Sequence, residues 1–156
     1  MVRQETSYPE EREVTLTVMP EKDAEFPLYF RVPGWATQGI AVMINGQTQA
    51  VTTQAGTWAK VERSWKRGDR MKLEIPLEFS LAAVDAQHPR RVAIVRGPVV
   101  WVRQSRAPFS TSFSQWKTES TNPLAFELDA AGKSQLVPFY RLGKHDPYWM
   151  YFDLES

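Results

Sequence analysis

Three kinds of side chain in this 156-residue sequence could do chemistry: two histidines, eighteen acids and six tryptophans. His145 stands beside Asp146, and a carboxylate next to an imidazole can orient it as a general base. No Ser is marked out as the nucleophile such a base would serve, and sequence adjacency does not put two side chains in contact. His88 precedes Pro89. Both histidines are expected in surface or structural roles. The acids admit a glycosidase pair, which needs two carboxyls roughly 5–10 Å apart across a cleft. Most of them fall on the polar parity of strands, where a solvated face is the expectation. The tryptophans say more. Trp58 shares parity with Lys60 and Glu62, so its indole is expected on an exposed sheet face, and Trp116 lies in a polar segment. An exposed aromatic face can stack on a sugar ring. Trp58 and Trp116 are therefore the candidate carbohydrate contacts; the plainer expectation is that they cover a neighbouring loop or domain. Trp35, Trp65, Trp101 and Trp149 lie in or beside apolar strands and belong in a core or a domain interface. No residue is marked as catalytic, metal-ligating or cofactor-binding.

The elements that must position these residues are strands. In Thr57–Leu77, Ala59 and Val61 alternate with Lys60 and Glu62, and Met71, Leu73 and Ile75 with Arg70, Lys72 and Glu74. That is the period-two pattern of half-buried strands. Lys66-Arg67-Gly68-Asp69 between them predicts a tight turn, and the pair is expected to form a hairpin. Glu13–Met19 and Glu25–Val32 alternate in the same way, with Phe26, Leu28, Phe30 and Val32 inward. Pro27 has no N–H to donate, so its strand is expected at an edge or a bulge. Ile40–Ile44, then Asn45-Gly46, then Gln47–Thr52 predicts a second hairpin. Glu78–Val84 fits a strand or a helical turn equally. Arg91–Val95 and Val99–Val102 are apolar on both faces, as strands within a core are. Residues 104–134, rich in Ser and Thr, predict a long irregular loop or insertion, with a short strand at Leu124–Leu128. Leu136–Arg141 and Tyr148–Leu154 close the chain. No helical periodicity is sustained. The expected fold is all-β, a single antiparallel β-sandwich (jelly-roll-like) over residues 1–156.

Composition excludes several classes of function. The net charge is +1, and no basic patch offers a field for nucleic acid or an anionic membrane. The absence of cysteine removes disulfides, thiol catalysis and thiolate zinc sites. No apolar run approaches the roughly twenty residues of a membrane span. No phosphate-binding loop, dinucleotide fingerprint or nucleophile elbow occurs. No cofactor is expected, and the compartment stays open.

Several segments, in order, resemble one family. They are Phe30-Arg31-Val32-Pro33-Gly34-Trp35-Ala36, Ile44-Asn45-Gly46, Trp65-Lys66-Arg67-Gly68-Asp69 and Val92–Val100. Val137-Pro138-Phe139-Tyr140-Arg141, with His145-Asp146 and Tyr148–Tyr151, completes the set, and Tyr8-Pro9 opens it. Together they resemble the non-catalytic C-terminal β-sandwich region of β-L-arabinofuranosidase-like glycoside hydrolases, families 127 and 146. In place of the Trp and Gly that often follow Tyr-Pro, this chain has Glu10-Glu11-Arg12. The resemblance implies a parent enzyme in which an (α/α)6 barrel carries the catalytic cysteine, the zinc ligands and the acid/base glutamate. None of those residues can be carried over to this chain. The same resemblance implies an accessory domain, excised from a larger enzyme, that packs against the barrel and is catalytically silent alone. The implied glycan is a plant-type, arabinose-containing one; the compartment is left unknown, a secreted or periplasmic parent being one option. The rival expectations are a carbohydrate-binding module, a small hydrolase using sandwich-borne carboxylates, and an extracellular assembly or adhesion module.

Overall fold

The computed structural model of the chain describes residues 1–104, 117–118, 125–127 and 135–154. It is all-β, with antiparallel pairing throughout the described strands. The only helical element among the described residues is one 3₁₀ turn, Phe139–Arg141. The chain divides into two compact units, Met1–Leu77 and Glu78–Ser156, where the sequence pattern suggests one domain.

The first unit is a sandwich of unequal layers. One sheet has five strands in the order β1 (Val2–Thr6), β2 (Glu13–Val18), β7 (Asp69–Glu74), β4 (Ala41–Ile44) and β5 (Gln47–Thr48). The other has two, β3 (Ala24–Arg31) and β6 (Trp58–Trp65). Val14, Val18, Val42, Ile44, Met71 and Leu73 from the first sheet meet Phe30, Ala59, Val61 and Trp65 from the second in one buried cluster. Alternation built this core, since each of those residues sits on the apolar parity of its strand. Trp65 is fully buried, and its indole N–H donates to the Phe26 carbonyl at 2.9 Å, so the ring is buried without an unpaired donor. Tyr8 packs against the same cluster. Burial pushes its phenol up to about 12, and its Oη has no partner among the described residues.

The expected hairpin over Thr57–Leu77 does not form. The turn is where the sequence places it, with Gly68 at φ 92°, but the strands it joins enter different sheets. β6 pairs with β3, and β7 pairs with β2 and β4. The physical reason is that both strands carry an apolar face. Pairing side by side would leave those faces needing a cover, whereas crossing between layers lets each cover the other. The Asn45-Gly46 hairpin does form, with positive φ at both residues (51° and 81°) as a two-residue turn of that kind requires. Its return strand is shorter than expected, Gln47–Thr48. Strand β1 has no counterpart in the sequence expectation, because all five of its residues are exposed and no apolar alternation marks it.

In the second unit β9 (Arg91–Arg96) is central. One edge pairs with β8 (Phe79–Ala83), which settles the ambiguous Glu78–Val84 as a strand. The other edge is shared by β10 (Val99–Arg103) and β14 (Tyr151–Asp153). β10 continues to β13 (Gln135–Pro138), β12 (Phe126–Glu127) and β11 (Lys117–Thr118). Consecutive burial of Val92, Ala93 and Ile94, and of Trp101 and Val102, confirms strands covered on both faces. The segment 104–134 falls largely outside the described residues; its described pieces include β11 and β12, which pair with each other.

A buried carboxylate pins the crossing turn. Asp69 Oδ2 accepts from the Lys66 N–H at 2.9 Å, and Oδ1 accepts from Asn45 Nδ2 at 2.9 Å. These bonds, with the Lys66 amide foremost, hold the carboxyl below the usual carboxylate range. The folded state therefore takes up the Asp69 proton less readily than the unfolded chain. The stability it contributes is complete above the unfolded value of about 4 and is lost as pH falls through the lower folded value. Asp69→Ala is expected to cost about 2–3 kcal/mol, because it orphans a backbone donor and a side-chain amide. Urea midpoints measured from neutral to acidic pH check both points: the wild-type advantage over Asp69→Ala should shrink on acidification.

Candidate functional site

The outward face of the β3–β6 ribbon follows from its register. Arg31 lies opposite Trp58, Tyr29 opposite Lys60, and Pro27 opposite Glu62. Their neighbours on both strands point into the core, so these side chains stand outside. Trp58 is 64% exposed and Tyr29 58%. They are diagonal neighbours across the ladder, within reach of one another's large side chains. Lys60 Nζ is 2.6 Å from Glu62 Oε2, and that hydrogen bond is the first cause holding the lysine above its usual range. The face is thus two exposed aromatic rings with a self-neutralised ion pair.

A groove of about 580 Å³ opens between the segment 49–54 and β6. Trp58, Lys60 and Glu62 line one side, and Gln49, Thr52 and Gln54 the other. Such a surface can stack, donate and accept, and its charged groups, Lys60 and Glu62, are paired with each other. A second, shallower hollow of about 360 Å³ is bordered by Glu5, Glu11, Glu13 and Arg70. Glu13 there is held below the usual carboxylate range, first by its hydrogen bond from Lys72.

The structure places Trp58 as the sequence expects, exposed on the polar parity. Trp116 lies outside the described residues. Trp65 and Trp101 are core residues, Trp149 is half-buried, and Trp35 is 39% exposed. His145 and its neighbour Asp146 are exposed, and Asp146 Oδ2 accepts from the Gly143 N–H at 2.7 Å. His88 Nδ1 lies 2.9 Å from Asp85 Oδ1 on an exposed turn, and that contact leads the causes that lower the Asp85 carboxyl. Among the described residues no three His, Cys, Asp or Glu side chains converge as metal ligands would. The carboxyls with resolved shifts, Glu13, Asp69 and Asp85, all move down, opposite to a glycosidase acid. Sequence reasoning misses Tyr29 as the companion of Trp58. Its signal is parity: Tyr29 lies between Leu28 and Phe30, so it points away from the core that they enter.

The same fold occurs in larger proteins. A structure described as a glycoside hydrolase matches with a TM-score of 0.71 at 23% identity, over 99% of this chain and 32% of that one. Ara127N-Se, a GH127 β-L-arabinofuranosidase from Geobacillus stearothermophilus T6, matches at 0.69 and 22% identity, over 97% of this chain and 30% of that one. BT3674, described as a GH127 β-arabinofuranosidase, matches at 0.67 and 20% identity, over 99% and 31%. The chain spans about a third of the length of these proteins. Its class is thus an all-β domain fragment with the fold found in such enzymes. Residues 1–77 match the family model of the β-L-arabinofuranosidase GH127 middle domain. No curated protein matches the chain.

Because Trp58 is the most exposed of the described tryptophans, Trp58→Phe should remove the component of tryptophan fluorescence most accessible to acrylamide. Stability should change by no more than about 0.5 kcal/mol, as for other surface substitutions. Parallel quenching and urea curves check this.

Proposed function

We propose that this chain is an accessory, non-catalytic β-sandwich part of a β-L-arabinofuranosidase-like glycoside hydrolase. In this reading it packs against and supports an (α/α)6 catalytic barrel supplied by the rest of the parent protein, which acts on arabinose-containing glycan. The observation that carries the reading is the family model that residues 1–77 match, a middle domain by description. A middle domain has neighbours. The second unit supports the same reading, since it exposes Phe139, Tyr140, Tyr148 and Tyr151. Aromatic rings are favoured at interfaces, where they bury large areas at low entropic cost.

A second reading, contact with glycan through the Trp58 face, is favoured by the exposure of that indole beside a groove. Titration with arabino-oligosaccharides, followed by tryptophan fluorescence, separates the two. A saturable change lost in Trp58→Ala supports the glycan contact; a flat response in folded protein removes it.

For the accessory reading, the chain alone should release no arabinose from a chromogenic β-L-arabinofuranoside. Tyr151→Ala should cost about 2 kcal/mol in the full-length parent, where the ring would be buried, and no more than about 0.5 kcal/mol in the isolated chain. Turnover by the chain alone, or equal effects of the substitution in both contexts, overturns the proposal.

A further inference from the structure

Among the described residues β6 has one hydrogen-bonded neighbour, β3. The bond from the Val32 N–H to the Thr57 carbonyl, 2.9 Å, sets the phase of that ladder. In an antiparallel pair, opposed residues alternate between exchanging their backbone bonds and turning them away. With Arg31 opposite Trp58, the residues bonded to β3 are Ala59, Val61 and Arg63. Trp58, Lys60 and Glu62 direct their N–H and C=O groups to the far edge. Pro27 checks the phase independently. It lies opposite Glu62, so its nitrogen faces away from the ladder, where a missing N–H costs no bond.

Three donors and three acceptors thus line an edge of β6 that bears no strand among the described residues, and the 580 Å³ groove is bordered by these same residues. From Trp58 to Glu62 the edge runs about 13 Å at roughly 3.3 Å per residue, room for about four or five residues of an added strand. The layer itself is short: two strands face five, and Val51, on the other side of the groove, is only partly buried against the core. An exposed edge is a template for pairing.

We propose that the β6 edge is a docking site for an extended polypeptide strand, which enters the groove and adds a third strand to the β3–β6 sheet. The repeat of the open groups decides the occupant. Donors and acceptors recurring at every second residue along a straight edge match a peptide backbone, and a sugar chain offers no such repeat. The strand comes from a part of the parent protein outside these 156 residues, a point that rests on the accessory-domain reading above. Its side chains alternate, one set apolar toward Val51 and the core, the other polar beside Lys60 and Glu62. The Trp58 ring, standing on the outer face, would flank the added strand.

Amide hydrogen exchange on the chain alone should be fast at Trp58, Lys60 and Glu62 and slow at Ala59, Val61 and Arg63. Slow exchange at all six overturns the proposal, because the edge is then already covered. Synthetic peptides of about eight residues, enough to exceed the groove, are tiled across the parent sequence outside residues 1–156 and titrated into the labelled chain. One tile should bind saturably and slow exchange at Trp58, Lys60 and Glu62 together. Lys60→Pro removes one outward N–H and no ladder bond, so it should leave Tm nearly unchanged and weaken that tile roughly tenfold. If the proline variant does not fold, exchange in the wild-type chain with and without the tile decides. The proposal falls if no tile protects these amides, or if a tile binds folded Lys60→Pro as tightly as wild type. It falls equally if an arabino-oligosaccharide protects them and no peptide does. Failure here leaves the accessory-domain reading standing, since hydrolysis and Tyr151→Ala in the parent test that separately.

Discussion

The first unit depends on how one turn is held. Asp69 is buried at the point where the chain crosses from one sheet to the other, and both of its carboxylate oxygens are engaged. Asn45 completes the clamp: its Nδ2 donates to Asp69, its Oδ1 accepts from the Arg70 N–H, and its own N–H donates to the Arg70 carbonyl. Two turns far apart in sequence are thereby tied together, the β4–β5 hairpin and the β6–β7 crossing. Without the tie, β6 and β7 could pair as neighbours, and the apolar faces of both would need another cover. A buried carboxylate is costly unless its lone pairs are met, and here both oxygens accept hydrogen bonds. That makes it a device for choosing a topology as much as a source of stability.

The crossing has a consequence at the surface. Because β6 leaves β7 for the opposite layer, that layer is built of two strands and keeps one edge of β6 free among the described residues. The outward face of the same strand carries Trp58 and the Lys60–Glu62 pair. What this unit presents to its surroundings is therefore a set of surfaces: backbone groups at an edge, indole and phenol rings on a face, and a short ion pair. Charged side chains beside a free edge also guard it against indiscriminate pairing. The accessory role proposed above calls for such surfaces. The exposed aromatics of the second unit, Phe139 and Tyr148 in edge-to-face contact with Tyr140 and Tyr151 nearby in sequence, fit the same account.

Much of this was legible because period-two alternation reports burial directly. It placed Val14, Val18, Phe30, Val61, Met71 and Leu73 in the core, Trp58 outside it, and Pro27 on an edge strand. Asn45-Gly46 was legible because only a few residues tolerate positive φ at both turn positions. Strand β1 was not, since an exposed strand leaves no apolar signature. The ends of the chain were legible only in outline: Tyr148–Leu154 reduces to Tyr151–Asp153, and Leu136–Arg141 splits into β13 and a 3₁₀ turn. The aromatic residues there are partly exposed, so their pattern does not mark a strand boundary.

The sequence by itself determined most of the half-buried strands, which face of each is apolar and where the tightest turns fall. Those properties are local, set by side-chain parity and by backbone preferences over a few residues. Only the tertiary structure decided which strands pair. Thr57–Leu77 satisfies the pattern of a hairpin and of a crossing equally, because alternation says that a face must be covered and not what covers it. The choice came from residues distant in sequence: β3 taking one edge of β6, β2 and β4 flanking β7, and Asn45 reaching Asp69.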